Sequence, residues 1–290
     1  MESKSYKIAK AFMVLGLIFA AAITLYPLLY VFSMSISAPE HVLRRDVYFW
    51  PRGFATYGYR LVFANANVWR AYGNTIFITV VGTALNVVMT VLVAYPLSRE
   101  NFILKTPLTI MITLTMFVSG GMIPFFIVLN NLGLYNNRMA VIIPFAVNAW
   151  NILVARAYYY TLPESLAESA KIDGANDITV LFRIMVPLSG PIIAVMTLFY
   201  AVGHWNAYFW PLVLLPNPQL QTLQLYLYRI LVLLQPDVAA GTAQIGIIRA
   251  AETEMFKYAS IIVSMLPIMA VYPFLQKYFV KGVMIGAVKE

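Results

Sequence analysis

Six long apolar runs constrain this chain more than any other feature. They cover about residues 11–33, 74–97, 107–129, 139–160, 191–215 and 255–280, and four of the six contain no Asp, Glu, Lys or Arg. An α-helix needs about 20 apolar residues to cross the hydrocarbon core of a bilayer. Inside that core each backbone N–H and C=O must be bonded within its own segment, so helices suit runs of this length. The expected fold is therefore an all-α integral membrane protein, one domain over 1–290, with six transmembrane helices and a patterned polar loop at 161–190. The balance of 61% hydrophobic to 11% charged residues agrees, because soluble domains carry about a quarter charged residues.

The first run follows Lys4, Lys7 and Lys10. A basic start before an apolar core is also the pattern of a signal peptide, but this run is too long and lacks a convincing small-residue cleavage site. It reads as the first span, with the lysines holding the N-terminus in the cytoplasm. Alternation then puts 35–73, 130–138 and 217–254 outside, and the loop 161–190 and the C-terminus inside. The Lys and Arg count, eleven inside against nine outside, discriminates little. The first external segment is rich in aromatic residues and arginine, including Arg44, Arg45, Tyr48, Phe49, Trp50 and Arg52. Such a surface suits an interfacial belt or a docking face for a protein. Its arginines would also suit an acidic oligosaccharide.

Several function classes are excluded. The chain has no cysteine, so it can hold no disulfide, thiol nucleophile or thiolate metal site. Its two histidines, His41 and His204, are far apart in sequence and make a poor metal site. No segment fits the phosphate-binding pattern G-x-x-x-x-G-K-[ST] or a nucleophile elbow, so the chain is expected to be no enzyme and to bind no cofactor. The net charge of +8 suits anionic lipid headgroups. Nucleic acid is not expected, since no interleaved basic and aromatic patch is present.

The polar loop carries its own pattern. Leu166, Ala167, Ala170 and Gly174 recur at helical spacing, with Glu168, Lys171 and Asp173 on the other faces. One side of this short helix is small, and a small side would let another protein surface approach closely. Gly174 ends the helix. Asn176 or Asp177 can cap a second helix over Ile178–Met185, and Pro187 and Pro191 bracket a bend before the fifth span. Helix, glycine turn, helix and proline elbow together make a docking knob held away from the bilayer.

These residues resemble the EAA loop of bacterial ABC importer permeases, the segment that docks into a groove of the ATPase subunit. The matching residues are Glu168-Ser169-Ala170, Asp173-Gly174-Ala175, Phe182-Arg183-Ile184 and Pro187-Leu188, with Ser169 standing where the family has a second alanine. Other stretches resemble the carbohydrate-uptake branch, in particular the second permease of maltose-type systems. They are Asn74-Thr75, Ala94-Tyr95-Pro96-Leu97-Ser98-Arg99, Met122-Ile123-Pro124, Leu132-Gly133-Leu134 and Trp205-Asn206-Ala207-Tyr208-Phe209-Trp210-Pro211. Trp50-Pro51 and the aromatic first loop look like permeases of complex-oligosaccharide importers in Gram-positive bacteria.

The resemblance implies a type I importer permease in the cytoplasmic membrane. It also implies three kinds of partner: a second permease, two copies of an ATPase and an external sugar-binding lipoprotein. ATP and Mg would be used by the ATPase. Coupling to it would run through Leu166, Glu168, Ser169, Ala170, Asp173, Gly174, Ala175, Phe182 and Pro187.

Polar residues inside spans are costly and call for a reason. Asn148, Trp150 and Asn151 fall in the fourth run; His204, Trp205, Asn206 and Tyr208 fall in the fifth. Asn beside Trp in two spans suits a sugar, whose C–H faces stack on aromatic rings and whose hydroxyls pair with amides. The same residues also suit interhelical hydrogen bonding and packing. His204 by itself, like Asn86 and Thr83, reads as packing. Two other classes stay open. An ion-coupled secondary transporter calls for carboxylates within the spans and internal repeats, and neither is apparent. A membrane scaffold or channel subunit has no need of the patterned loop.

Overall fold

A computed structural model of the chain describes residues 4–232 and 250–271. Apart from one isolated bridge between Ser37 and Phe54, the regular structure among these residues is helical. The helices are α1 (Lys4–Ser35), α2 (Pro39–Arg44), α3 (Tyr57–Ala64), α4 (Ala66–Ser98), α5 (Lys105–Leu114), α6 (Met122–Asn131) and α7 (Ala149–Tyr159). They continue with α8 (Ser165–Ile172), α9 (Asp177–Val180), α10 (Val186–Leu188), α11 (Gly190–Asn206), α12 (Phe209–Leu214) and α13 (Leu223–Val232). A further helix, α14, covers Ala250–Val271.

Among the described residues, three helices are long and apolar enough to cross a membrane: Tyr6–Ser35, Ala66–Ser98 and Ala250–Val271. Two bent pairs bring the number to five, namely Arg138–Phe145 with Ala149–Tyr159 at 45°, and Asp177–Leu188 with Gly190–Asn206 at 82°. The lysines of the C-terminal tail (Lys277, Lys281, Lys289), Lys4's side chain and the end of the sixth apolar run lie outside the described residues.

The helices depart from the apolar runs for local reasons. α4 begins at Ala66 rather than Asn74, because Asn67, Trp69, Arg70 and Tyr72 continue the helix although that stretch is not purely apolar. The run 107–129 is split between α5 and α6. Ser119, Gly120 and Gly121 separate them, and Gly121 has φ +83°, a conformation natural to glycine. The run 139–160 starts as 3-10 turns over Arg138–Val141 and Ile143–Phe145. Pro144 lacks a backbone N–H, and a regular helix resumes only where the Asn148 side chain accepts the Asn151 N–H at 3.0 Å.

The chain divides into two compact units. In the first (1–69 and 226–266), Met34, Val42, Val47 and Met255 form the core. Gly58 lies so close to α14 that a Cβ there would sit 2.6 Å from the Met255 carbonyl oxygen. Tyr57 donates to Glu252 at 2.6 Å, and Ser35 and Tyr59 share a hydrogen bond of 2.8 Å. In the segment 35–73, Arg52 reaches Asp46 at 3.3 Å, beside His41 at 3.1 Å, and Arg60 lies over the Tyr57 ring at 5.8 Å. The hydrogen bond from His41, with help from Arg52, holds the Asp46 carboxyl below the usual carboxylate range. Arg44 and Arg45 are exposed, as are Tyr48, Phe49, Trp50 and Phe54.

The second unit (70–225 and 267–290) has two apolar clusters. One gathers Ala94, Tyr95, Leu97, Tyr159, Ala167, Ala170 and Met185; the other gathers Ile78, Leu129, Ile142, Leu214 and Leu215. Polar pins fix the segment before α13 to α4. Asn74, 2% exposed, donates to the Gln219 and Gln221 carbonyls at 2.8 and 2.9 Å. The Thr75 hydroxyl accepts the Leu223 N–H at 2.7 Å. An unmade hydrogen bond on a buried group costs about 1–3 kcal/mol. Asn74→Ala orphans two carbonyls, so it should cost about 3 kcal/mol and lower the unfolding midpoint of the detergent-purified protein. Thr75→Ser, which keeps the acceptor, serves as reference; an Asn74→Ala midpoint no lower than that of Thr75→Ser would contradict the pinning role.

Candidate functional site

Two places in the second unit carry candidate functional residues. The first is the loop 161–190. In α8, Ala167 and Ala170 are buried, at 6% and 9% exposure, and join the cluster of Tyr95, Tyr159, Val180, Leu181 and Met185. This corrects the expectation that the small side of the helix receives another protein. Alanine lets α8 seat closely on its own chain, and Ala170 contributes to mounting the helix rather than to an outer surface. Ala175 also packs against this cluster.

The side that faces outward holds Leu166, Glu168, Ser169, Lys171, Ile172 and Asp173. Ile172 is 86% exposed, and beyond the turn Ile178 and Phe182 are 69% and 51% exposed. Ile172 and Ile178 were not among the residues the sequence pointed to. Their signal was apolar residues on the charged side of an amphipathic helix and next to a helix cap.

The turn is built by Gly174. With φ +84° it closes α8 while its N–H bonds the Lys171 carbonyl at 3.0 Å and the Ala175 N–H bonds the Ala170 carbonyl at 2.9 Å. This is the paired-bond Schellman ending, which requires a left-handed residue. The Asn176 side chain then caps α9 by accepting the Thr179 N–H at 2.8 Å. The Lys171–Asp177 ion pair, at 2.7 Å, bridges the turn in solvent and holds the Lys171 ammonium above its ordinary pKa. A π-helical turn, Leu181–Met185, buries Leu181 and Met185 and leaves Phe182 outward. Ser189, fully buried, donates to the Met185 carbonyl at 2.5 Å where the chain bends 82° into α11. Pro187 is exposed just before that bend.

Two arginines clasp the helices beneath this loop. Arg99, past the end of α4, donates to the Tyr159 carbonyl at 2.7 Å. Arg156, in the last turn of α7, donates to the Leu97 carbonyl at 2.9 Å. Each cation thus satisfies a carbonyl at the other helix's C-terminal end, where the helix dipole also favours positive charge. Arg99 stacks on Tyr95 at 5.1 Å and Arg156 on Tyr160 at 5.1 Å. α8 therefore rests on a stiff base.

The second place is a pocket of about 300 Å³. Asn86 of α4, Asn148 and Asn151 of α7, Tyr200 and His204 of α11, and Trp210 of α12 line it, with Phe145. Asn86 donates to the Phe145 carbonyl at 2.5 Å and accepts from His204 Nε2 at 2.7 Å. Tyr200 and Thr90 share a buried hydrogen bond of 2.7 Å. Phe125 and Phe209 meet Trp210 edge-on and Phe145 meets it at a tilt, with ring centroids 4.9, 5.4 and 5.6 Å from it.

Of the six residues the sequence pointed to as a pathway lining, only Asn148 and Asn151 line this pocket. Asn148 is the cap of α7, not a mid-helix residue. Trp150 is 59% exposed elsewhere on α7, and Trp205 is buried against Tyr72 at 6.1 Å. Asn206 ends α11, and Tyr208 lies in the turn after it. The pocket's other polar members, Asn86, His204, Tyr200 and Trp210, were read as packing or passed over. Helical spacing could have found two of them, since Tyr200 and His204 lie one turn apart on α11. Among the described residues no group of His, Asp and Glu could hold a metal ion.

Comparison with known proteins places this geometry. Residues 86–285 match the family described as binding-protein-dependent transport system inner membrane component. The polygalacturonan/rhamnogalacturonan transport system permease protein YtcP of Bacillus subtilis is 36% identical over 94% of this chain and 95% of its own length. Protein LplC of the same organism is 38% identical over 98% and 96%. The crystal structure of a bacterial ABC transporter involved in the import of the acidic polysaccharide alginate contains a chain with TM-score 0.88 and 36% identity, over 96% of this chain and 99% of that one. The match covers α8, both clasping arginines and every residue that lines the pocket, and on it this chain belongs to the family of binding-protein-dependent transport system inner membrane components.

Proposed function

We propose that this chain is one of two permease subunits of an ATP-driven importer that carries an acidic oligosaccharide across the bacterial cytoplasmic membrane. The observation that carries the reading is the near full-length likeness to YtcP, named for polygalacturonan and rhamnogalacturonan, and to a transporter chain from alginate import. All three polymers contain uronate sugars. Six spans are proposed: α1, α4, the broken pair α5–α6, the bent segment ending in α7, α11 and α14. Both termini then lie in the cytoplasm. The chain is a transport component, not an enzyme; ATP and Mg belong to the two ATPase copies, and an external binding protein delivers the sugar.

In this reading the outward side of the loop, Leu166, Glu168, Ile172, Ile178 and Phe182, enters the ATPase groove. Closure of the ATPase pair pushes α8, and the arginine clasp passes the push to α4 and α7 as a rigid body. The polar pocket contributes to the sugar's path, with Asn148 and Asn151 in its wall. An ion-coupled secondary transporter is not favoured by the relatives.

Affinity capture of the tagged chain from native membranes should recover a second permease, an ATPase and a sugar-binding protein. Recovery of the chain alone, even after mild crosslinking, would refute the assembly. Ile172→Asp buries a charge in the same contact. Interface anchors of this kind carry about 2–3 kcal/mol, so co-purified ATPase should fall by about a hundredfold at unchanged membrane level of the chain. ATPase recovery equal to wild type would remove α8's outward side from the contact.

A further inference from the structure

The pocket beside α11 has one feature that the path reading does not use. The Phe145 carbonyl can only accept, so the Asn86 atom 2.5 Å from it is the amide nitrogen. The other Asn86 atom, Oδ1, is then an acceptor, and it faces His204 Nε2 at 2.7 Å. Nε2 must carry the ring's hydrogen. In the neutral ring Nδ1 is left as a bare acceptor. Among the described residues His204 Nδ1 has no hydrogen-bond partner, and the residue lines the pocket. Gly82 makes the arrangement possible: a Cβ there would lie 2.6 Å from Nε2 and 2.8 Å from Cε1, so only glycine lets the Nε2 edge seat on α4. The wall beside it is aromatic, through Trp210 and Phe145, and no Lys or Arg lines the pocket.

We propose that His204 Nδ1 accepts a hydrogen bond from a sugar hydroxyl while the Trp210 ring stacks on the same sugar's C–H face. His204 is thus a substrate-binding residue locked into one tautomer by Asn86, and this wall reads hydroxyls rather than the carboxylates of an acidic sugar. The inference rests on the importer function proposed above.

The test is uptake of radiolabelled trigalacturonate by cells carrying the whole importer with His204→Leu or His204→Gln. Leucine removes the acceptor. Glutamine can still donate to Asn86 and accept from the sugar. For His204→Leu, KM should rise at least about tenfold, more than Vmax falls, because a site that hydrogen-bonds a substrate hydroxyl discriminates strongly when the partner is lost. His204→Gln should restore KM to within about threefold of wild type. If His204→Leu does not assemble, His204→Met supplies a flexible apolar side chain of similar bulk, with the same expected rise. Uptake with unaltered KM in an assembled apolar variant, or a KM for His204→Gln as poor as theirs, overturns this inference alone. No uptake by the wild type overturns the acidic-sugar reading, and this inference with it.

Discussion

Gly174→Val is expected to cut ATP-coupled uptake by about tenfold or more, while the amount of chain in the membrane stays within about twofold of wild type. At φ +84° a residue with a Cβ is strained by about 1–2 kcal/mol, and a β-branched one by more. Nothing lies within 4 Å of the position a Cβ would take, so the effect is backbone strain and not a clash. The strain is relieved by opening the turn, which breaks the Ala175–Ala170 and Gly174–Lys171 bonds that end α8. α8 then loses its fixed angle to α9, and in the coupling proposed above the push from the ATPase is absorbed by the turn. Gly174→Asn is the control, since asparagine tolerates left-handed backbone and should keep most of the uptake. The comparison requires uptake and ATP hydrolysis measured on the same membranes. Equal coupling in the valine and asparagine variants would show that the turn's conformation does not matter.

The second large effect is expected at the contact of α4 with α11. Gly82→Ala places a Cβ 2.6 Å from His204 Nε2 and 3.0 Å from Cδ2, inside a buried contact. Small residues let membrane helices approach closely, and overpacking such a site costs about 1–3 kcal/mol. Displacing the ring also breaks its bond to Asn86, worth a further 1 kcal/mol or so. A loss of about 3 kcal/mol in total is expected, read as a lower unfolding midpoint in detergent. His204→Ala in the same chain makes room, so the double variant should be more stable than the sum of the singles predicts. Strict additivity would mean that Gly82 and His204 do not constrain each other.

The fold was legible where one physical rule dominated. Apolar runs free of charge became long helices at α1 and α4, because nothing in such a segment competes with its internal backbone bonds. The loop's short helices, the glycine turn and the Asn176 cap were readable for a similar reason: each depends on residues within four positions. What could not be read depended on contacts distant in sequence. Ala167 and Ala170 look like a surface made for a partner until Tyr95 and Tyr159 are seen to cover them. Trp205 and His204 are neighbours in sequence, yet one buries itself on Tyr72 and the other turns to Asn86. Hydrophobicity ranks them without saying which side of α11 meets the pocket. The two breaks differ: Ser119-Gly120-Gly121 and Pro124 announce the one at Gly121 in the sequence, whereas the one at Asn148 was hidden, because hydropathy averages over a single proline and asparagine.

The seat of α8 also separates two kinds of evolutionary freedom. What fastens the helix is a pair of inward alanines and the glycine ending; what it displays lies on the opposite side, at Leu166, Glu168, Ile172 and, past the turn, Ile178. Mutations can accumulate on the displayed side without loosening the mount. On the docking proposed above, an engineer could transplant the displayed residues from another permease onto this scaffold and exchange its motor, leaving the mount untouched.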